Sequence, residues 1–196
     1  MNAIRKYLLM EEHVCPSWLY FSLNTVLRKM IHNPVKMLSP FVGEGQTALD
    51  LGCGPGFFTF GLAEIVGKNG KVLAVDIQRK AIERIGKRIR NTDLEGVVIP
   101  LLATPSDISV RDKADFVLAF WMVHEVPDKE AFFDQITRVM KQQSLFLMVE
   151  PKLHVSDKKF IEEVKTAESR GMELMDFPCI GLSRSALFRR RAHEAM

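Results

Sequence analysis

A chain of 196 residues with 47% hydrophobic and 26% charged side chains has the composition of a globular protein, which excludes disorder, collagen-like repeats and coiled coil as whole-chain descriptions. That length suits one domain with a short extension, at roughly 100–200 residues per domain, and buries about 70% of its unfolded surface without staples. Lys plus Arg exceed Asp plus Glu by 27 to 24, a formal charge of +3 that is too small to indicate nucleic acid. The three cysteines, Cys15, Cys53 and Cys179, are odd in number and widely spaced. They form neither a disulfide framework nor a zinc pair, and they point to a reducing, cytoplasmic setting. No apolar run is long enough for a membrane span. Arg5 and Lys6 are followed by Glu11, Glu12 and His13, where a signal peptide would need apolar and small residues.

Residues 1–34 contain Trp18, Tyr20, Phe21, Val26, Leu27, Met30 and Ile31, a composition expected to form an amphipathic helical extension that packs on the domain or acts as a lid. Residues 35–196 are expected to form the domain itself. There, short apolar runs alternate with helical patterns: a strand at Thr47–Leu51, a helix at Phe57–Val66 closed by Gly67, and a strand at Val72–Asp76. Ala81, Ile82, Ile85 and Ile89 recur at helical spacing among basic residues. Strands follow at Val97–Leu102 and Asp115–Phe120, with a Thr/Pro/Ser/Asp-rich connection between them that is expected to hold little helix. Phe132, Phe133, Ile136, Val139 and Met140 mark a helix, Leu145–Val149 a strand, and Phe160, Ile161, Val164 and Ala167 a helix stopped at Gly171. Glu173–Pro178 and Leu182–Arg190 read as a hairpin that places an antiparallel strand at the end of the sheet. Continuous apolar strands alternating with helices indicate a parallel sheet covered on both faces.

The most informative segment is Asp50-Leu51-Gly52-Cys53-Gly54-Pro55-Gly56, where a strand runs into glycines at alternate positions and then a helix. Glycines there let a ligand approach the backbone, next to a helix N-terminus with free N–H groups. Dinucleotide folds favour G-x-G-x-x-G facing a pyrophosphate. The spacing here is G-x-G-x-G, and Asp50 would repel a pyrophosphate but suit a ligand carrying an ammonium or sulfonium. Asp76 closes the second strand, where an acidic residue accepts the hydroxyls of a ribose. That role does not separate NAD from S-adenosylmethionine, and Asp76 is also placed to cap the helix beginning near Gln78.

The runs Ala48–Thr59, Val72–Asp76, Ala114–Phe120 and Leu145–Glu150, at these separations, resemble class I S-adenosylmethionine-dependent methyltransferases over about residues 35–190. The resemblance implies a Rossmann-like, doubly wound α/β fold whose seven-stranded sheet is mostly parallel with the last strand antiparallel, and S-adenosyl-L-methionine as cofactor. It also implies that Asp50, Gly52, Gly54 and Gly56 line the methionine half of the cofactor, with Cys53 in the same loop. Asp76 would hold the ribose, Ile77 would pack on the adenine, and Phe120 and Trp121 would flank the methyl donor. Members often carry Gly-Asp-Ala after the third strand. Here Leu102-Ala103-Thr104 stands instead, which leaves Thr104 at the adenine edge and Asp107 as the candidate replacement carboxylate.

The acceptor is less legible, because a sulfonium methyl is already activated and the enzyme mainly aligns the two reactants. Phe120-Trp121-Met122-Val123-His124-Glu125 lacks the Asn/Asp-Pro-Pro-Tyr/Phe signature of methyltransferases acting on planar amino groups. His124 is the candidate general base, with Glu125 to orient it. The same two residues read alternatively as tethers of the loop. Glu150 and His154 end the fifth strand and either touch substrate or tether the surface. Trp18, Tyr20, Phe21 and Trp121 would form an apolar pocket for a small aromatic acceptor such as a quinone. The three cysteines match no arsenite-binding thiolate pattern, and no metal is expected. Arg184, Arg189, Arg190 and Arg191 read as charged protection of an edge strand. A nucleotide-dependent oxidoreductase and a non-catalytic S-adenosylmethionine-binding module are the rival readings.

Overall fold

The computed structural model describes residues 33–192. A short helix α1 (Pro34–Leu38) starts on a proline, and the Asn33 side chain caps it by accepting from the Lys36 N–H. There follow β1 (Thr47–Leu51), α2 (Phe57–Val66), β2 (Lys71–Asp76), α3 (Arg79–Ile89), β3 (Val98–Leu102) and β4 (Ala114–Phe120). A 3₁₀ turn at Val123–Glu125 leads to α4 (Lys129–Val139), β5 (Met140–Pro151), α5 (Asp157–Ser169), β6 (Met172–Asp176) and β7 (Ser183–Arg190). Asp128 caps α4 through the Ala131 N–H and Ser156 caps α5 through the Lys159 N–H, so both helices begin where a short polar side chain satisfies an orphan donor.

The strands form one seven-stranded sheet in the order β3-β2-β1-β4-β5-β7-β6. All pairings from β3 to β5 are parallel, and β7 runs antiparallel to both β5 and β6. This is the expected seven-stranded fold with its last strand reversed. One expectation is corrected: β7 is not at the edge of the sheet. The chain leaves α5, lays β6 two strand positions beyond β5, and returns through a turn to fill the gap with β7, so β6 is the edge. Arg184, Arg189 and Arg190 therefore sit on an interior strand. Arg184 pairs with Asp157 at 2.7 Å and Arg189 with Glu173 at 2.8 Å, rather than guarding a free edge.

Apolar residues cover both faces. Phe132, Phe133 and Ile136 of α4 and Phe160 and Val164 of α5 pack with Leu49, Val75 and Val117 of the sheet. Leu38, Phe58, Leu62, Ile85 and Ile89 of α1 to α3 pack with Ala48, Val72 and Leu118 on the other side. Each large side chain so buried contributes about 1.5–3 kcal/mol. The β3–β4 connection has no helix, as its composition indicates, and turns instead through a bridge between Thr104 and Asp107. The expected extension at residues 1–34, with Trp18 and Tyr20, lies outside the described residues apart from Asn33 and Pro34. Among the described residues no helix is long and apolar enough to cross a membrane.

Candidate active site

The sheet order reverses between β1 and β4, and the loops leaving the carboxyl ends of β1, β2, β4 and β5 meet there, the usual crevice of an open α/β sheet. The first loop is tied to its neighbour: Gly52 N–H and Cys53 N–H both donate to the Val75 carbonyl, at 2.9 and 3.0 Å. Gly52 and Gly56 have φ of 68° and 91°, left-handed values that favour glycine. A Cβ on Gly52 would also lie 2.9 Å from Met122 Cγ, so the turn is closed from above by the loop after β4.

Two carboxylates flank this loop. Asp76 is 4% exposed; its Oδ2 accepts from Gly54 N–H and its Oδ1 from Gln78 N–H, both at 2.8 Å. Those bonds use roughly half of a carboxylate's acceptor capacity and leave lone pairs for a diol. Burial pushes the Asp76 carboxyl up, against the opposing hydrogen bonds from Gln78, Gly54 and Ile77. Asp76 does not cap α3, whose N-cap is Gln78; it closes a local turn onto the Gln78 N–H instead. Asp50 is 1% exposed and accepts the Thr59 hydroxyl at 2.6 Å. The buried Cys53 thiol reports the resulting field: burial, then the charges of Asp50 and of Asp76, push it well above the ordinary value. A negative field fits a sulfonium or ammonium and opposes a pyrophosphate, so these residues fit S-adenosylmethionine.

Ile77 is exposed beside Asp76, and the Ala103 N–H donates to the Asp76 carbonyl at 3.0 Å, which sets Thr104 next to them. The Thr104 hydroxyl accepts from Asp107 N–H at 3.1 Å. Asp107 commits its own carboxylate to Arg111, at 3.0 Å, and to Ser109 N–H, at 2.7 Å. Phe120 is buried with its ring centroid 4.2 Å from that of Phe58 and 5.2 Å from that of Trp121. Trp121 has φ of 59°, rare for a bulky residue. Its N–H donates to the Val149 carbonyl at 2.7 Å and its Nε1–H to Ser183 Oγ at 2.9 Å, bonds that hold a conformation costing about 1–3 kcal/mol.

His124 lies in the 3₁₀ turn after β4. Its Nδ1 is hydrogen-bonded to Glu150 Oε2, whose other oxygen accepts the Val123 N–H at 2.8 Å; Glu150 is 0% exposed. An ionised carboxylate can only accept, so Nδ1 carries the proton and the neutral imidazole keeps its lone pair on Nε2. Glu125 Oε1 is 4.0 Å from Nε2, beyond hydrogen-bond reach. Burial lowers the imidazole's proton affinity, but the Glu150 hydrogen bond and charge, with Glu125 and Glu163, outweigh it, and the net direction is upward. The orienting acid is thus Glu150 rather than the expected Glu125. The signal in the sequence was an acidic residue ending an apolar strand. His154 stacks 6.2 Å from His124, centroid to centroid. Glu163, Met122 and Ser183 were not legible as site residues. Cys179 is exposed in the turn before β7, and Cys15 lies outside the described residues. Among the described residues no group of three His, Cys, Asp or Glu is arranged to hold a metal ion.

Residues 43–183 match a family described as a methyltransferase domain. Over 101 residues the chain is 32% identical to a demethylmenaquinone methyltransferase of Lactobacillus johnsonii, a match covering 51% of this chain and 41% of that protein. Over 98 residues it is 33% identical to an arsenite methyltransferase of Halobacterium salinarum, covering 50% of this chain and 25% of that protein. The matched stretch thus spans less than half the length of either relative. A crystal structure of a SAM dependent methyltransferase from Aquifex aeolicus superposes with a TM-score of 0.79 at 23% identity, over 91% of this chain and 100% of that one; at that identity the likeness concerns the fold. The family match runs from the turn before β1 to the first residue of β7 and takes in every loop of the crevice, and on that ground the chain belongs to the methyltransferase domain family.

Proposed function

We propose that this domain transfers the methyl group of S-adenosylmethionine to a small acceptor in the cytoplasm. The observation that carries the reading is the pair of buried carboxylates, Asp50 and Asp76, on either side of the Gly52–Gly56 loop. The bound cofactor would supply a methyl group on a sulfonium, whose departing neutral thioether needs no further activation. Asp76 accepts the ribose hydroxyls on its remaining lone pairs. The backbone of Gly52, Cys53, Gly54 and Gly56 lets the methionine half approach closely, and the field of Asp50 favours its ammonium. Ile77 and Thr104 contact the adenine, and Phe120 and Trp121 stand beside the donor. His124, oriented by Glu150, takes the acceptor's proton on Nε2. A base of this kind fits an acceptor with a proton to lose, such as a hydroxyl or activated carbon on a small aromatic ring, and the demethylmenaquinone methyltransferase relative supports that class. Thiolate capture of arsenite has less support, since Cys53 is buried within the cofactor loop and Cys179 lies in an exposed turn.

Calorimetric titration with S-adenosylhomocysteine tests the cofactor site. The unmodified chain should bind, and Asp76→Ala should bind at least about 100-fold more weakly, the scale of losing two charge-assisted hydrogen bonds. Failure of the unmodified chain to bind would refute the reading.

A further inference from the structure

Glu163 stands on the face of α5 that otherwise buries Phe160, Val164 and Ala167. It is 5% exposed, and its Oε2 has no hydrogen-bond partner among the described residues. Among the described residues its Oε1 reaches Lys129 Nζ, at 3.8 Å. A carboxylate in an apolar helix face is costly unless its charge is used or removed. The charged groups facing it are Lys129 from α4, Lys159 from its own helix, Glu150 from β5 and His124 from the 3₁₀ turn; Glu125 faces His124 from the same turn. Within this cluster both oxygens of Glu150 are committed, to Val123 N–H and to His124.

The charge count then decides what Glu163 does. With His124 protonated, the anions Glu150, Glu163 and Glu125 balance the cations His124, Lys129 and Lys159. With His124 neutral, one buried negative charge is left over, and the carboxylate that can shed it is the one with an unpartnered oxygen. We propose that Glu163 is a positioning residue for the base, protonated while His124 is neutral and ready, and ionised once His124 has taken the acceptor's proton. The acceptor's proton ends on His124 Nε2 while Glu163 releases its own to solvent, so the buried cluster keeps its net charge through the transfer. When His124 later loses its proton, Glu163 regains one. Burial and the charge of Glu150, against Lys129 and His124, hold the Glu163 carboxyl at about 7, in the range where such an exchange operates.

The catalytic meaning rests on the base role given to His124 above, but the coupling is measurable without cofactor or acceptor. Proton-detected histidine titration of the full chain should show a broadened curve for His124. In Glu163→Gln that curve should sharpen to one site with its midpoint about one pH unit lower, since an anion near the imidazolium is lost. Glu163→Asp, which keeps the charge, should restore most of the shift. Selective ¹³C labelling of glutamate side-chain carboxyls in the unmodified chain needs no variant, and should show Glu163 titrating near neutrality. A His124 curve that does not move in folded Glu163→Gln, or a Glu163 midpoint in the ordinary carboxylate range, would overturn the proposal. If the coupling is present and S-adenosylhomocysteine does not bind, the functional reading falls and the coupling stands.

Discussion

Gly56→Ala is the sharpest test of how the cofactor loop is held. Gly56 is the N-cap of α2 with φ of 91°, a conformation that costs an L-residue about 1–2 kcal/mol. The added Cβ would lie 2.5 Å from Phe60 Cε2 and 3.3 Å from Ile85 Cγ1. Phe60 is half-buried and can swing outward, but Arg88 sits over its ring at 3.8 Å from the centroid. Losing that cation–π contact costs about 0.5–1 kcal/mol, and pressing on the fully buried Ile85 adds about 1 kcal/mol. The net destabilisation is about 3 kcal/mol, or a Tm lower by roughly 6–12 °C for a chain of this size. Urea unfolding with an unchanged m value is the assay. In a Phe60→Ala background the ring clash disappears, and the same Gly56→Ala change should cost only about 2 kcal/mol. A cost below about 1 kcal/mol in both backgrounds, or no relief in the second, would refute the assignment of the loop's strain and packing.

Gly86→Ala makes the opposite case: Gly86 is inside α3 with nothing near its Cβ position, so the substitution should stabilise by about 0.5–1 kcal/mol in the same assay. Glu150→Gln keeps an acceptor for Val123 N–H but removes the anion beside His124. A charged hydrogen bond of about 1.5–3 kcal/mol corresponds to a fall of roughly 1–2 units in the His124 midpoint by NMR titration. His124→Ala should lower turnover about 10²–10⁴-fold once an acceptor is found, with S-adenosylhomocysteine affinity unchanged; an unaltered rate would remove His124 as base. Stability should fall with rising pH. Glu163 is raised from 4.5 to about 7, and His124 is raised from 6.5, so the folded chain binds more protons than the unfolded one across these windows. The Glu163 contribution is lost between about pH 4.5 and 7, and the His124 contribution as pH rises through its folded value. Glu163→Gln should flatten the first slope, matching the unmodified chain at pH 4 and exceeding it by about 1–3 kcal/mol at pH 8 in urea unfolding.

The sequence by itself determined the alternation of strands and helices and the loop at the crevice. Apolar runs such as Val72–Asp76 can only be satisfied by burial on both faces, and Phe57–Val66 ends where Gly67 takes a positive φ. Asp50 was legible because it stands near the end of β1 just before the glycine turn, and Asp76 because it closes β2 within about 30 residues of that turn. The tertiary structure alone decided which residues far apart in sequence share a charge. Glu125 is next to His124 in the chain, yet its carboxylate stops 4.0 Å from Nε2 and does not meet Nδ1. Glu150, 26 positions on, meets Nδ1 because β5 pairs in parallel with β4 and ends beside the same turn. Glu163 reaches this cluster because α5 packs back over the sheet, and its helical spacing alone marks it as one polar break in an apolar face. The position of β7 between β5 and β6 was equally hidden: the hairpin is local, but which of its two strands pairs with β5 depends on where α5 delivers the chain. Local sequence specifies elements and turns through backbone preference and hydrophobic period, whereas proton affinities and strand neighbours are set by groups that only the folded sheet brings together.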